Sequence, residues 1–154
     1  MTRVKLGPLA VTALLVAPLL VAVGFSPGRW YAAALGWFGV ALIAGATLTA
    51  HSLRSHLEDE IAGERSLAVV LGEVWTRRLY LGLAATAYLV LLGLLPVAPW
   101  TALALVTALL LGYPGWQVSS GAVSGHLDSV VRDTALVAVY YGALVGLGLV
   151  LSRV

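Results

Sequence analysis

The sequence predicts an all-α, polytopic membrane protein with about five transmembrane helices, organised as a single domain over residues 1–154. Three observations carry that prediction. First, the chain is 60% hydrophobic and only 10% charged, with a mean hydropathy of +0.97, which is outside the range of soluble domains. Second, five apolar stretches carry no charge at all: Leu9 to Gly24, Tyr31 to Ala50, Leu79 to Val97, Pro99 to Tyr113 and Thr134 to Leu151. At about 1.5 Å per residue each can cross a hydrocarbon core of roughly 30 Å, some only with tilt or local thinning. Third, none alternates with a period of two, so a barrel is not indicated and each backbone must satisfy its own hydrogen bonds as a helix.

The first stretch follows Arg3 and Lys5, as a signal peptide would, but no A-x-A-like cleavage site comes after it, and it is read as a membrane helix. The segment Ser26 to Trp30 reads as a tight turn, and Trp30 and Tyr31 stand where aromatic residues anchor a helix at the interface. Gly36, Gly39 and Gly45 on the second helix, and Gly142 and Gly146 on the last, are expected to admit close helix neighbours. Between the second and third spans lies a polar loop, residues 52–78. The third and fourth are joined only by Pro96 to Pro99, which requires an antiparallel hairpin. A Gly- and Ser-rich segment, Pro114 to Asp133, reads as a mobile loop before the last span.

Orientation follows from the basic residues. Arg3, Lys5, Arg54, Arg65, Arg77, Arg78 and Arg132 fall on one side of a five-span arrangement, and Arg29 and Arg153 on the other. The larger group marks the cytoplasmic face, so the N-terminus is expected inside and the C-terminus outside, in the cytoplasmic (inner) membrane. All seven acidic residues and all three histidines then lie on that cytoplasmic face, which names the working surface. The absence of cysteine excludes disulfides and thiolate metal sites. A net charge of only +2 gives no reason to expect a nucleic-acid partner.

The chemistry is concentrated in HSLRSHLEDEIAGERSLAVVLG, His51 to Gly72, which holds four of the seven acids and two of the three histidines. If the second helix continues past the membrane, His51, Ser55 and Asp59 share one face, with Glu58 beside them. Magnesium takes hard oxygen ligands and often uses one or two carboxylates plus substrate phosphates, so Glu58 and Asp59 are the candidate donors and His51 is not. Arg54, Arg65, Arg77 and Arg78 are candidates to hold a diphosphate, because guanidinium groups pair bidentately with phosphate oxygens. The plain alternative is a solvated loop, in which Arg54 and Glu58 form an i, i+4 pair worth a few tenths of a kcal/mol and the histidines flank a helix end.

The same stretch resembles the second aspartate-rich motif of the UbiA superfamily of intramembrane prenyltransferases. In the menaquinone-pathway, dihydroxynaphthoate-prenylating branch that motif reads approximately N-N-x-R-D-x-x-x-D-x-x-x-G-x-x-T-L-A-V-x-x-G. Arg54, Asp59, Gly63, Leu67, Ala68, Val69 and Gly72 fall on the pattern, with Ser66 in place of the threonine. The likeness continues through Arg77 to Tyr80, Ala87 and Tyr88, and the ending from Thr134. Ser55 stands at the first aspartate of the motif, as also occurs in the chlorophyll-synthase branch. His51 stands at the leading asparagine and Glu60 at a basic position.

The resemblance implies the C-terminal half of a helical bundle of about nine helices, with no counterpart of the earlier N-D-x-x-D motif. It implies an isoprenyl diphosphate held through Mg²⁺ for transfer to an aromatic, quinone-precursor acceptor. Asp59 and Glu58 would bind the metal, Arg54, Arg65, Arg77 and Arg78 the diphosphate, with His51, Ser55 and Gly63 supporting the motif. Because stabilising a departing diphosphate calls on carboxylates from both motifs, a lone chain is not expected to be active. Three arrangements remain open: a half-enzyme with a second membrane polypeptide, a homodimer, and a catalytically inactive accessory subunit with a structural or lipid- or quinone-binding role.

Overall fold

The computed structural model describes residues 30–63, 65–121 and 124–152, with side chains for all of these except 57, 58 and 124–126. The first expected span, Leu9 to Gly24, and the turn after it lie outside the described residues. Everything regular in the remainder is helical. Helix α1 is Trp30–Ala62, α2 Leu67–Leu71, α3 Glu73–Leu94, α4 Val106–Ser119 and α5 Ser124–Leu151, with a 3₁₀ helix, Pro99–Leu105, running directly into α4. Four segments are long and apolar enough to cross a membrane: Trp30–His56, Glu73–Leu94, Pro99–Ser119 and Leu127–Leu151. The chain is therefore an all-α, polytopic integral membrane protein.

The spans match the charge-free stretches, but the helices overrun them at one end. Between Gly45 and Gly63 there is neither glycine nor proline, so nothing stops α1 at the membrane surface and it continues to Ala62. Much of the expected loop 52–78 is therefore helix. The same holds for Pro114 to Asp133, where only residues 120–123 connect α4 to α5. Pro114 sits within α4, as prolines in membrane helices can where neighbours compensate the lost bond. At the start of α5, Leu127 and Val130 are buried and spaced one turn apart, and they lead into the buried run Thr134, Val137, Ala138 and Tyr141. That helical period, not the local Gly and Ser content, sets the structure.

The spans alternate in direction, with α1 packed against both α3 and α5, and α5 against the 3₁₀ helix and α4. At the apolar end the expected hairpin is present. The Leu94 carbonyl accepts the amides of Val97 (3.1 Å) and Ala98 (2.9 Å), and Pro99 opens the 3₁₀ helix. Gly148 of α5 crosses that helix so closely that a Cβ there would lie 2.6 Å from the Thr101 backbone. Close approach on the last span is thus focused on Gly148, with Gly142 and Gly146 buried nearby, and on α1 Gly39 lies beneath the Tyr141 ring.

The core has two parts. The larger contains Ile43, Leu91, Leu94, Val137, Tyr141 and Val145; the smaller, beneath the polar end, gathers Ala46, Ala50, Leu53, Tyr80, Val118, Leu127 and Val130. Within the spans, tyrosine hydroxyls link helices. Tyr80 Oη and Thr134 Oγ1 lie 2.8 Å apart, Tyr88 Oη and Thr107 Oγ1 2.9 Å, and Tyr141 Oη donates to the Ala87 carbonyl at 3.0 Å. Such bonds stabilise a membrane bundle by about 0.6 kcal/mol each on average.

Candidate functional site

The polar end of the bundle is built by the overrun of α1, by α2, and by the ends of α3, α4 and α5 that meet them. On α1 the periodicity places His51, Ser55 and Asp59 along one face. Ser55 Oγ donates to Asp59 Oδ2 at 2.7 Å. This bond is the largest cause holding the Asp59 carboxyl below its ordinary value; Ser66 adds to it, partial burial opposes it, and positive charge on His51 and His56 assists. Asp59 is therefore held as the carboxylate. Two atoms in this neighbourhood, His56 Nδ1 and Ser66 Oγ, are buried without a hydrogen bond of full geometry.

The chain then doubles back. Gly63 ends α1 at φ 71°, its amide donating to the Glu60 carbonyl at 3.2 Å. Helix α2 returns alongside α1, its fully buried Ala68 donating its amide to Ser52 Oγ at 2.9 Å. Gly72 then breaks the helix at φ 82°, ψ 156°, a conformation that is essentially glycine-only. Its carbonyl accepts both the amide (3.1 Å) and the hydroxyl (2.9 Å) of Thr76 to start α3. Gly63, Ala68 and Gly72, three residues singled out by the sequence pattern, thus have backbone duties at the corner that joins α1, α2 and α3.

The four arginines part company. Arg54 Nε pairs with Asp128 of α5, both side chains about half exposed. Arg77 turns inward, its side chain only 12% exposed. It pairs with Glu73 one turn earlier and donates Nη1 to the Val118 carbonyl at 2.6 Å, tying α3 to the end of α4. Arg78, one residue on and so about 100° around the helix, lies over the Trp75 ring with 5.0 Å to its centroid. Arg65 is exposed in the link to α2. The Glu58 side chain, the second expected carboxylate, lies outside the described residues; among those described, no group of three or more His, Asp or Glu is placed to hold a metal ion.

The sequence reading did not anticipate Ser52 as the acceptor that seats α2, nor Asp128 as the partner of Arg54. Neither carries a local signal, since the first contact joins residues 16 apart and the second joins separate helices. The Glu73 to Arg77 pair did have one, its i, i+4 spacing on a helix.

The chain is similar to two curated proteins, both named 1,4-dihydroxy-2-naphthoate octaprenyltransferase. The one from Mycobacterium tuberculosis is 33% identical over 180 aligned positions, covering 88% of this chain and 62% of its own length. The one from Mycobacterium leprae is 31% identical over 122 positions, covering 75% of this chain and 42% of its own. This chain therefore spans under two thirds of either relative, and the first alignment is longer than the chain itself, so the relative carries segments without a counterpart here. No family model matches the chain, and no solved structure does.

Proposed function

We propose that this chain forms the second-motif side of a UbiA-like membrane prenyltransferase, completed by a first acidic motif supplied from outside these 154 residues. The reaction class is transfer of an isoprenyl group from its diphosphate to an aromatic quinone precursor. A carbon–carbon bond forms to the ring, the carbon–oxygen bond to diphosphate breaks, and the ring gives up a proton. The observation that carries the reading is the overrun of α1, which sets His51, Ser55 and Asp59 on one face at the polar end, with Ser66 beside Asp59. The likeness to two naphthoate prenyltransferases supports it.

Asp59 is kept ionised and offers a hard oxygen donor; together with Glu58 it would hold Mg²⁺ from this side. One or two carboxylates plus substrate phosphates is a set that suits this ion. Bound there, the ion would offset charge on the departing diphosphate. The buried His56 Nδ1, without a hydrogen bond, is a polar group that a phosphate could satisfy. Among the arginines, Arg54 and Arg65 are the ones this reading sets at the diphosphate. Arg77 braces the end of α4 and keeps the motif in place, and Arg78 is engaged by Trp75.

A second reading, a catalytically inactive subunit of a larger membrane complex with a structural or lipid- or quinone-binding role, is favoured by one observation. Ser55 stands where the motif carries its first aspartate, and it donates a hydrogen bond to Asp59 instead of offering a second carboxylate. Binding of Mg²⁺ with inorganic pyrophosphate to the purified protein, followed by calorimetry, separates the two. The enzyme reading expects binding that Asp59→Asn removes; no binding, or binding indifferent to Asp59→Asn, favours the inactive subunit.

A further inference from the structure

We infer that α2 and the first turn of α3 form a seat for one anionic phospholipid, whose phosphate is held by Arg78 over Trp75. This inference is independent of any prenyl transfer. Three observations combine to give it. The level of α2 is set by its neighbours: Ala68 is bonded to Ser52, one turn before the end of Trp30–His56, a segment long and apolar enough to cross a membrane, and the next such segment begins at Glu73. Helix α2 therefore sits at the boundary between hydrocarbon and headgroups.

The outward face at that level is apolar. Val70 is 67% exposed, Val74 61% and Trp75 62%, flanked by Leu67 and Leu71, whereas Ala68 on the opposite side is fully buried. The exposed leucines Leu79, Leu81, Leu89 and Leu92 carry the apolar surface on along α3, so the occupant of the patch is an acyl chain. Finally, Arg78, about one turn further along α3 than Trp75, reaches back towards the polar end and lays its guanidinium on the Trp75 ring. An indole at the interface with a cation laid on it offers a fixed, partly desolvated positive group at headgroup depth, and anionic headgroups supply the complementary charge.

The test uses the full chain in mild detergent, given equal amounts of phosphatidylglycerol and phosphatidylcholine with matched acyl chains, with retained lipids counted by native mass spectrometry. Retention of phosphatidylglycerol over phosphatidylcholine is expected. Arg78→Gln should lower its affinity roughly fivefold, the effect of about one arginine at an anionic surface. Arg78→Lys should largely restore it, and Trp75→Ala should weaken it. Arg132→Gln, at an exposed arginine away from the patch whose near neighbour is Asp133, should leave it unchanged. Equal retention of the two lipids would overturn the inference. So would equal losses in the Arg78 and Arg132 variants, or a polypeptide occupying the patch in place of lipid.

Discussion

Asp59 owes its low pKa first to Ser55, so removing that one hydroxyl is the cleanest way to perturb it. Ser55→Ala is expected to raise the Asp59 carboxyl towards its ordinary value, read by ¹³C-detected NMR titration of the side-chain carboxyl. The sign for pH follows from the direction of the shift. A depressed folded-state pKa gives a stabilising contribution that is present above the ordinary carboxylate range and lost as pH falls through the lowered value. Binding of Mg²⁺ and pyrophosphate should accordingly persist to lower pH in the wild type than in Ser55→Ala; identical profiles would remove Ser55 from this role. At Arg54 the expectations divide. Asp128→Asn breaks an exposed pair and should change thermal stability by less than about 1 kcal/mol, whereas Arg54→Gln should weaken pyrophosphate binding. The shared face of His51, Ser55 and Asp59 was legible in the sequence because a helix repeats every 3.6 residues. Asp128 as the partner of Arg54 and Val118 as the second partner of Arg77 were not, because they reach these arginines only through the packing of separate helices.

At the scale of elements, the decisive features are where helices stop and how near they come. Gly72 holds a conformation closed to other residues, and Gly72→Ala should destabilise the α2–α3 corner by about 1–3 kcal/mol. Gly63→Ala, at an ordinary left-handed helix end, should cost no more than about 1–2 kcal/mol. Chemical denaturation in detergent checks both, and the reverse order would contradict the assignment of the break to Gly72. Gly148→Ala should cost about 1–3 kcal/mol by forcing α5 off the 3₁₀ helix. The apolar spans were legible as elements because membrane crossing demands about twenty uninterrupted apolar residues. The overruns were less so. In Pro114 to Asp133 the glycines and serines mask the buried period of Leu127 and Val130, which only the smaller core reveals. In residues 52–78 the same polarity that suggested a loop is carried on helix at and beyond the membrane surface.

On the scale of the whole molecule, alternating spans collect Arg54, Arg65, Arg77, Arg78 and Arg132 at one end, together with every described acid. That end is expected to face the cytoplasm. The chain has no native cysteine, so a single cysteine placed at Arg65 can be labelled by an impermeant maleimide. Labelling in inverted but not right-side-out vesicles is expected, and the opposite would reverse the orientation. The charge asymmetry that predicts this is a property of the whole sequence, which is why it was legible before any contact was known. What completes the site was not legible from packing, since the partner motif belongs to no described helix. The most direct test of the central claim is purification of the protein from its own membranes in mild detergent, with co-purifying polypeptides identified by native mass spectrometry and the preparation assayed for prenyl transfer. An assembly that contains the first acidic motif and shows Mg²⁺-dependent transfer, lost on Asp59→Asn, is expected. An assembly without that motif, or transfer that survives Asp59→Asn, would contradict it.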